Sequence, residues 1–340
     1  MPEVRPLRGA IIGLGGIARH GHLAARARDA ALARRVEFVV ACDSAPGTVP
    51  VDGLPLVRTL DALEAHGPID FVDICTPSAT HLPLARWALQ RGYHVLCEKP
   101  VATERADALE LADLARRADR VIVPCHQYRH NPAWRWLRAR LDAGAIGPWH
   151  LAEFQVWRTA ADRGSDTAAT PWRGRRDGGG GVLADHGTHL LYLVLDVAGP
   201  PAAVHGWMGR LRHHDYDVED TVQLLLEYPA RAVSFLLTWA AHHRETRIRF
   251  VGELGTLEWN GGWVRLETNG REERVDFTTQ LDKASYADWY ARLFHDFADV
   301  VHGGNAEPGL TEIARVADLL ERATEGRYAG SVAVLEAVPA

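Results

Sequence analysis

The stretch Gly13-Leu14-Gly15-Gly16-Ile17-Ala18 decides the fold of this chain. It follows a short apolar run at 9–14 and opens an alanine-rich, helix-favouring segment from 17 to about 32. Glycines between a strand and a helix let backbone approach a pyrophosphate closely, and the helix start offers unpaired N–H donors. The pattern Gly13-x-Gly15-x-x-Ala18 is weak alone and gains weight from its context in the chain. A second apolar run, 36–41, is ended by Asp43, whose carboxylate would accept hydrogen bonds from ribose hydroxyls and repel the extra phosphate of NADP. The next residues, Ser44-Ala45-Pro46, bring no arginine, so the reading is NAD in preference to NADP. A plain turn-capping role for Asp43 is the alternative.

Outward from this turn, apolar strands at 69–75, 93–96 and 121–125 alternate with helical patterns at 82–91 and 105–118. Continuous apolar strands between amphipathic helices predict a parallel sheet covered on both faces. Residues 1–124 thus read as a doubly wound, Rossmann-type dinucleotide-binding domain. The texture then changes. After one more helix within 130–144, apolar or alternating runs at 151–159, 202–209, 221–228, 232–240, 247–251, 255–259 and 263–268 predict a large, mostly antiparallel sheet. Helical spacing over 286–302 and 310–324 closes the chain. The fold class is α/β, with residues 125–340 expected as the substrate-binding and oligomerisation domain. The polar stretch 160–176 reads as a long loop.

The chain has 340 residues, 47% of them apolar, enough for two buried cores. A net charge of −6 argues against a nucleic-acid partner, and no run approaches the ~20 apolar residues of a membrane span. Met1-Pro2-Glu3-Val4-Arg5 has no signal-peptide apolar region, so a cytoplasmic location is expected. Cys42, Cys75, Cys97 and Cys125 each end an apolar run and lack metal-ligand spacing, which reads as buried, reduced thiols. His213-His214 and His242-His243 are adjacent pairs, which in strands point to opposite faces, so no metal site is expected.

Two further stretches carry the chemistry. Cys97-Glu98-Lys99-Pro100 follows the strand 93–96, so Lys99 projects into the crevice at the carboxyl ends of the sheet. The Lys99-Pro100 bond is of the kind that adopts cis most readily. The four glycines at 178–181 precede helical spacing that sets Asp185 and His189 on one face, with His186 and Thr188 pointing elsewhere. A lysine, an aspartate and a histidine are the groups needed to take a proton from an alcohol while hydride leaves its carbon.

Together with Thr76-Pro77 and His81, these motifs resemble the Gfo/Idh/MocA oxidoreductase family over essentially the whole chain. The resemblance implies NAD(P)-dependent oxidation or reduction of sugars, aminosugars, cyclitols or related polyols. It places the catalytic roles on Lys99, Asp185 and His189. It implies a cofactor set of Gly13, Gly15, Gly16, Ile17, Ala18, Asp43, Thr76, Pro77, His81, Glu98 and Lys99. Trp172 and Arg173, just ahead of the glycines, are candidates to reach cofactor or substrate through the aromatic face and the guanidinium, with plain interdomain packing equally open. Tyr128 and Arg129 resemble the family's interdomain stretch; substrate contact and plain packing are both open for them. One departure stands out: Tyr192 occupies a position, three beyond the histidine, where many members have aspartate.

Two other functions are compatible with the scaffold. One is a redox-neutral sugar-modifying enzyme that oxidises transiently with tightly bound NAD; the other is a non-catalytic nucleotide-sensing regulator. The sheet face carrying Phe154, Val156 and Trp157 is expected to be apolar and to form a homodimer or homotetramer.

Overall fold

The computed structural model describes residues 5–164, 168–281 and 285–325; the first four residues, with the N-terminal segment read above, and 165–167 of the polar loop lie outside them. The first sheet consists of β1 (Leu7–Ile12), β2 (Val36–Cys42), β3 (Leu56–Val57), β4 (Phe71–Ile74), β5 (His94–Cys97) and β6 (Ile122–Pro124). Their order is β3-β2-β1-β4-β5-β6, and every pairing is parallel. The strand order reverses between β1 and β4, the point where open α/β sheets form their ligand crevice.

The helix expected over 17–32 is broken. A π-helical turn spans Ala18–Leu23, α1 covers Ala24–Arg28 and α2 covers Ala30–Ala33. Asp29 between them is extended, and its carboxylate accepts from the N–H groups of Ala31 at 2.8 Å and Leu32 at 3.0 Å. A short polar side chain thus starts a new helix where propensity alone would continue the old one. The remaining helices of this half are α3 (Leu60–Glu64), α4 (His81–Gln90) and α5 (Arg105–Ala118).

Beyond α6 (Pro132–Asp142), whose start is capped by Asn131, lies the second sheet. It comprises β7 (Trp149–Trp157), β8 (Ala203–Gly209), β9 (Thr221–Tyr228), β10 (Arg231–Thr238), β11 (Glu245–Gly252), β12 (Gly255–Asn260), β13 (Trp263–Thr268) and β14 (Arg271–Asp276). The order is β14-β13-β12-β11-β7-β10-β9-β8, antiparallel except where β10 lies parallel to β7. Strand β14 lacks an apolar rhythm because it is an edge strand, exposed along most of its length.

Helix α6 and α7 (Thr188–Ala198) cover the inner face of this sheet, with Trp134, Leu137 and Leu190 to Leu195 in its core. The last two helices return towards the first sheet. On α8 (Tyr286–Val301), Tyr290, Phe294 and Phe297 are buried against Phe71 and Leu96, each aromatic contributing about 1.5–3 kcal/mol by area. Helix α9 (Glu307–Glu325) places Leu310 and Ile313 in the first unit's core and Leu319 and Leu320 in the second's. The first sheet ends at Pro124 and the second begins at Trp149, while α9 packs into the cores of both.

The outer face of the second sheet differs from expectation. Phe154 (0% exposed) and Val156 (4%) point into the core, because alternation along β7 turns Leu151, Glu153, Gln155 and Trp157 outward instead. Around β11 to β13 this outer face is ionic: Glu258 receives Arg247 at 2.7 Å, Arg265 at 2.9 Å and Arg249 at 3.3 Å. The exposed apolar residues Leu151, Trp207 and Leu225 lie towards β7, β8 and β9.

Candidate active site

A cleft of about 1250 Å³ runs from the glycine turn to the inner edge of the second sheet. Its first half is built by the ends of β1, β2 and β4. Gly13 has φ +90°, and a Cβ there would lie 2.9 Å from the Cys75 carbonyl, so only glycine lets β1 turn so close to the end of β4. Gly15, Gly16 and Ile17 line the cleft, and a Cβ on Gly16 would meet nothing within 4 Å. Bare backbone facing open space at a strand–helix turn fits a dinucleotide pyrophosphate. Ala18 is fully buried beneath this turn, packed with Ile11 and Leu14, and does not reach the cleft.

Asp43 lines the cleft at the end of β2 and also caps its own turn. Its carboxylate accepts from Leu14 N–H at 2.8 Å, Ala45 N–H at 2.9 Å and the Thr48 hydroxyl at 2.8 Å. The structure adds a neighbour that the local sequence lacks: Arg58, after β3, donates to the carbonyls of Asp43 at 3.0 Å and Ala45 at 2.6 Å. Thr76 and Pro77 line the opposite wall. His81 bridges that loop to the next one, with ring nitrogens 2.8 Å from the carbonyls of Thr76 and Pro100.

Under the centre of the cleft lies a buried charge cluster that the sequence did not disclose. His22, fully buried on the π turn, sits 2.8 Å from Asp73 and 3.2 Å from Glu98, and Tyr290 donates to the same Glu98 oxygen. Burial works against a charge on His22, but Asp73 and its neighbours hold the ring well above its ordinary value. The donor atoms of His22, Asp73 and Cys125 lie within 4.8 Å of one another, yet both ring nitrogens already face carboxylates. All four cysteines are buried free thiols. Glu98 thereby anchors the segment that presents Lys99, whose bond to Pro100 is cis.

The second half of the cleft brings the acid–base candidates together. Lys99 Nζ donates to the backbone oxygen of Asp185 at 2.8 Å and to its carboxylate at 3.0 Å. Arg173 Nε approaches the other carboxylate oxygen at 3.3 Å, while its guanidinium lies 4.3 Å from the Trp172 ring. Burial alone would raise Asp185, but Lys99 and Arg173 hold it well below the usual carboxylate range. The glycine run makes this approach possible. Gly179 has φ +70°, and a Cβ there would lie 2.6 Å from the backbone nitrogen of Ala79.

Residues Leu183–Gly187 form a π-helical turn rather than regular α-helix. Its wider winding lines the cleft with Asp185, His186 and His189 together, which corrects the expectation that His186 points elsewhere. Burial lowers the His186 pKa to about 3. Burial, with Lys99 nearby, also pushes His189 well below its ordinary value. His189 stacks on Tyr128 with ring centres 4.2 Å apart. Its Nδ1 lies 2.9 Å from the hydroxyl of Tyr192, which also accepts the Tyr128 backbone N–H at 3.1 Å. Arg129, by contrast, turns away: it pairs with Glu312 on α9 at 2.7 Å and is absent from the cleft wall. The pair fastens the segment after β6 to α9. The sequence also missed Arg158, Arg244 and Tyr286, which line the cleft from distant segments that carry no local motif.

Among the described residues, no helix is long and apolar enough to cross a membrane. Residues 7–126 match the model of an oxidoreductase family with an NAD-binding Rossmann fold, and residues 134–258 match the GFO/IDH/MocA C-terminal domain. A dTDP-3,4-didehydro-2,6-dideoxy-alpha-D-glucose 3-reductase from Streptomyces violaceoruber is 32% identical over 66% of this chain and 66% of its own length. For the first three curated relatives, the match spans between 38% and 66% of their lengths. An oxidoreductase from Agrobacterium radiobacter, solved with NAD+, L-tartaric acid and magnesium, shares the fold at TM-score 0.80 and 22% identity, covering 96% of this chain and 97% of that one. The WlbA dehydrogenase from Bordetella pertussis, solved with NADH and UDP-GlcNAcA, does so at TM-score 0.78 and 23% identity, covering 96% and 98%. With both halves of the chain matched in order, and with Lys99, Asp185 and His189 meeting in one cleft, this chain belongs to the GFO/IDH/MocA oxidoreductase family.

Proposed function

We propose that the protein is an NAD-dependent oxidoreductase acting on a hydroxyl or carbonyl group of a sugar, aminosugar or cyclitol. The observation that carries this reading is Lys99 held on Asp185, beside His189, in the cleft that begins at the bare glycine turn. An assembled acid–base wall is what a nucleotide sensor has no need of. Gly13, Gly15, Gly16, Ile17, Asp43, Thr76 and Pro77 would hold the dinucleotide, with Lys99, Trp172 and Arg173 towards its reactive end. A bound nicotinamide would supply the hydride acceptor or donor for the substrate carbon.

The hydrogen bonds around His189 support a division of the proton chemistry between Lys99 and His189. Tyr192 is fully buried, and its hydroxyl accepts from Tyr128 N–H. Among the described residues, its own proton has one acceptor, His189 Nδ1. A neutral His189 then carries its proton on Nε2 and offers the substrate oxygen a donor. An N–H cannot take up a proton, which leaves Lys99 as the exchanging group. Two of its three donors rest on Asp185, and the third is free for the substrate oxygen. Lys99 gives its proton to that oxygen when a carbonyl is reduced and takes it back in oxidation, while His189 stabilises the developing charge. An aspartate at position 192 would accept from Nδ1–H and expose a basic Nε2 instead. Tyr192→Phe is expected to lower turnover about tenfold through this loss of tautomer control, and to cost about 1–3 kcal/mol by orphaning the buried Tyr128 N–H. Nitrogen NMR of His189 checks the assignment: protonated Nδ1 in the native enzyme would overturn it.

The preference for NAD over NADP rests on the Asp43 carboxylate in the cleft. Asp43→Ser is expected to shift the NADPH-to-NADH ratio of kcat/KM at least tenfold towards NADPH, because Arg58 then meets the added phosphate without an opposing carboxylate. An unchanged ratio would leave Asp43 as a turn cap alone. Association through the outer sheet face is supported by exposed Leu151, Trp207 and Leu225. A monomer mass in solution would count against the expected homodimer or homotetramer. NADH formation across a panel of sugars, aminosugars, sugar acids and inositols tests the activity itself.

A further inference from the structure

The substrate half of the cleft carries more positive charge than its own carboxylates answer. Lys99 and Arg173 share Asp185, while Asp162 and Arg163 add one charge of each sign to the same wall. Arg158 and Arg244 remain. Neither forms an ion pair with a carboxylate among the described residues. The carboxylate beside Arg244, that of Glu245, faces His243 at 3.0 Å instead.

Arg158 is the more informative of the two. Its guanidinium donates to the carbonyls of Trp157 at 2.7 Å and Glu245 at 2.6 Å and to the Thr246 hydroxyl at 2.9 Å. A neutral amide could serve such acceptors without placing a charge in the wall. Its buried Nε has no acceptor; burial and then Arg244 work against its charge, more than Tyr128, Tyr286 and Asp185 favour it. A half-buried guanidinium beside a like charge is costly unless an opposite charge arrives. Both arginines line the cleft together with His186 and His189, so that charge can arrive on the ligand.

We propose that Arg158 and Arg244 form a subsite for an anionic group, a carboxylate or a phosphate, and that the substrate is an acidic sugar derivative. This rests on the oxidoreductase reading above and narrows its substrate class. The reacting hydroxyl or carbonyl lies at Lys99 and His189, and the anionic substituent lies beyond His186.

The test is calorimetric titration of the protein, saturated with NADH, with D-glucuronate, glucose 6-phosphate and D-glucose at low and high salt. At least one acidic probe is expected to bind tenfold or more tightly than glucose at low salt, with the advantage shrinking as salt screens it. Which acidic probe wins distinguishes carboxylate from phosphate. Arg244→Glu, on an exposed side chain whose loss spares the core, is expected to erase the advantage; Arg158→Gln is the second variant. Equal binding of all three probes would overturn the subsite, as would an advantage that survives Arg244→Glu. NADH formation, followed separately on the same probes, keeps the two readings apart. Turnover of a neutral sugar with no acidic preference removes the subsite and leaves the oxidoreductase. Acidic preference in a protein that never exchanges hydride leaves the subsite and removes the redox assignment.

Discussion

Lys99→Ala is expected to lower turnover at least a hundredfold while NADH still binds. The side chain supplies the donor held on Asp185 and, with His189 keeping its proton on Nε2, the exchangeable proton. Removing a positioned general acid or base costs two to four orders of magnitude. The glycine turn and Asp43 lie elsewhere in the cleft and are untouched, so cofactor affinity measured by fluorescence reports folding and binding independently. His189→Ala is expected to match this loss, because it removes the donor that stabilises charge on the substrate oxygen. The two variants differ in one respect. If Lys99 exchanges the proton, the pH–rate profile of the His189 variant keeps its shape at reduced height. Full activity in both variants would refute the site; a profile that loses its limb in the histidine variant would exchange the two roles.

His22→Ala is expected to destabilise the fold by about 3–5 kcal/mol, the largest stability effect of any single change proposed. The substitution leaves Asp73 and Glu98 facing one another in a buried site without the cation between them, and breaking a buried pair from one side costs about that much. Glu98 holds the segment that presents Lys99, so turnover falls with stability. The pH dependence has a definite sign. The folded ring is held well above its unfolded value, so its contribution is complete below pH ~6.5 and is lost as pH rises through the folded value. A native protein that melts lower on the alkaline side, and a variant in which that slope is reduced, are the expected outcomes. A variant that melts with the native protein would show that the His22 pairs contribute no net stability.

Much of this arrangement is legible in the residues alone. The alternation of apolar strands with amphipathic helices predicts the first sheet, because in a doubly wound fold each strand is buried on both faces and reads as an unbroken apolar run. The second sheet is legible strand by strand until β14, whose two exposed faces remove the alternation that marks a half-buried strand. The position of Lys99 is legible because it depends on a local event, the end of β5. Asp185 and His189 are paired by their spacing, but the π turn that also recruits His186 has no signature in residue type.

The departures share one cause. Arg129 reads as a candidate substrate contact until Glu312, 183 residues away, claims it. Phe154 and Val156 read as outer-face residues, although alternation along β7 fixes only which residues share a side; the helices packed on the sheet decide which side is inner. Arg58 is invisible beside Asp43 because β3 brings it there from beyond the second strand.

By itself the sequence determined the fold class, the glycine turn and the order of the two sheets, since each depends on periodicity or on residues within one turn of one another; the trio of Lys99, Asp185 and His189 came from the family resemblance, its members lying up to 90 residues apart in the chain. Only the tertiary structure decided what each polar side chain answers to: Tyr192 on His189, His22 between two carboxylates, Arg158 and Arg244 in the cleft wall with no carboxylate partner among the described residues. The physical reason is that a hydrogen bond or ion pair is chosen by distance and burial, and both are set by elements that meet in space after long separations in the chain.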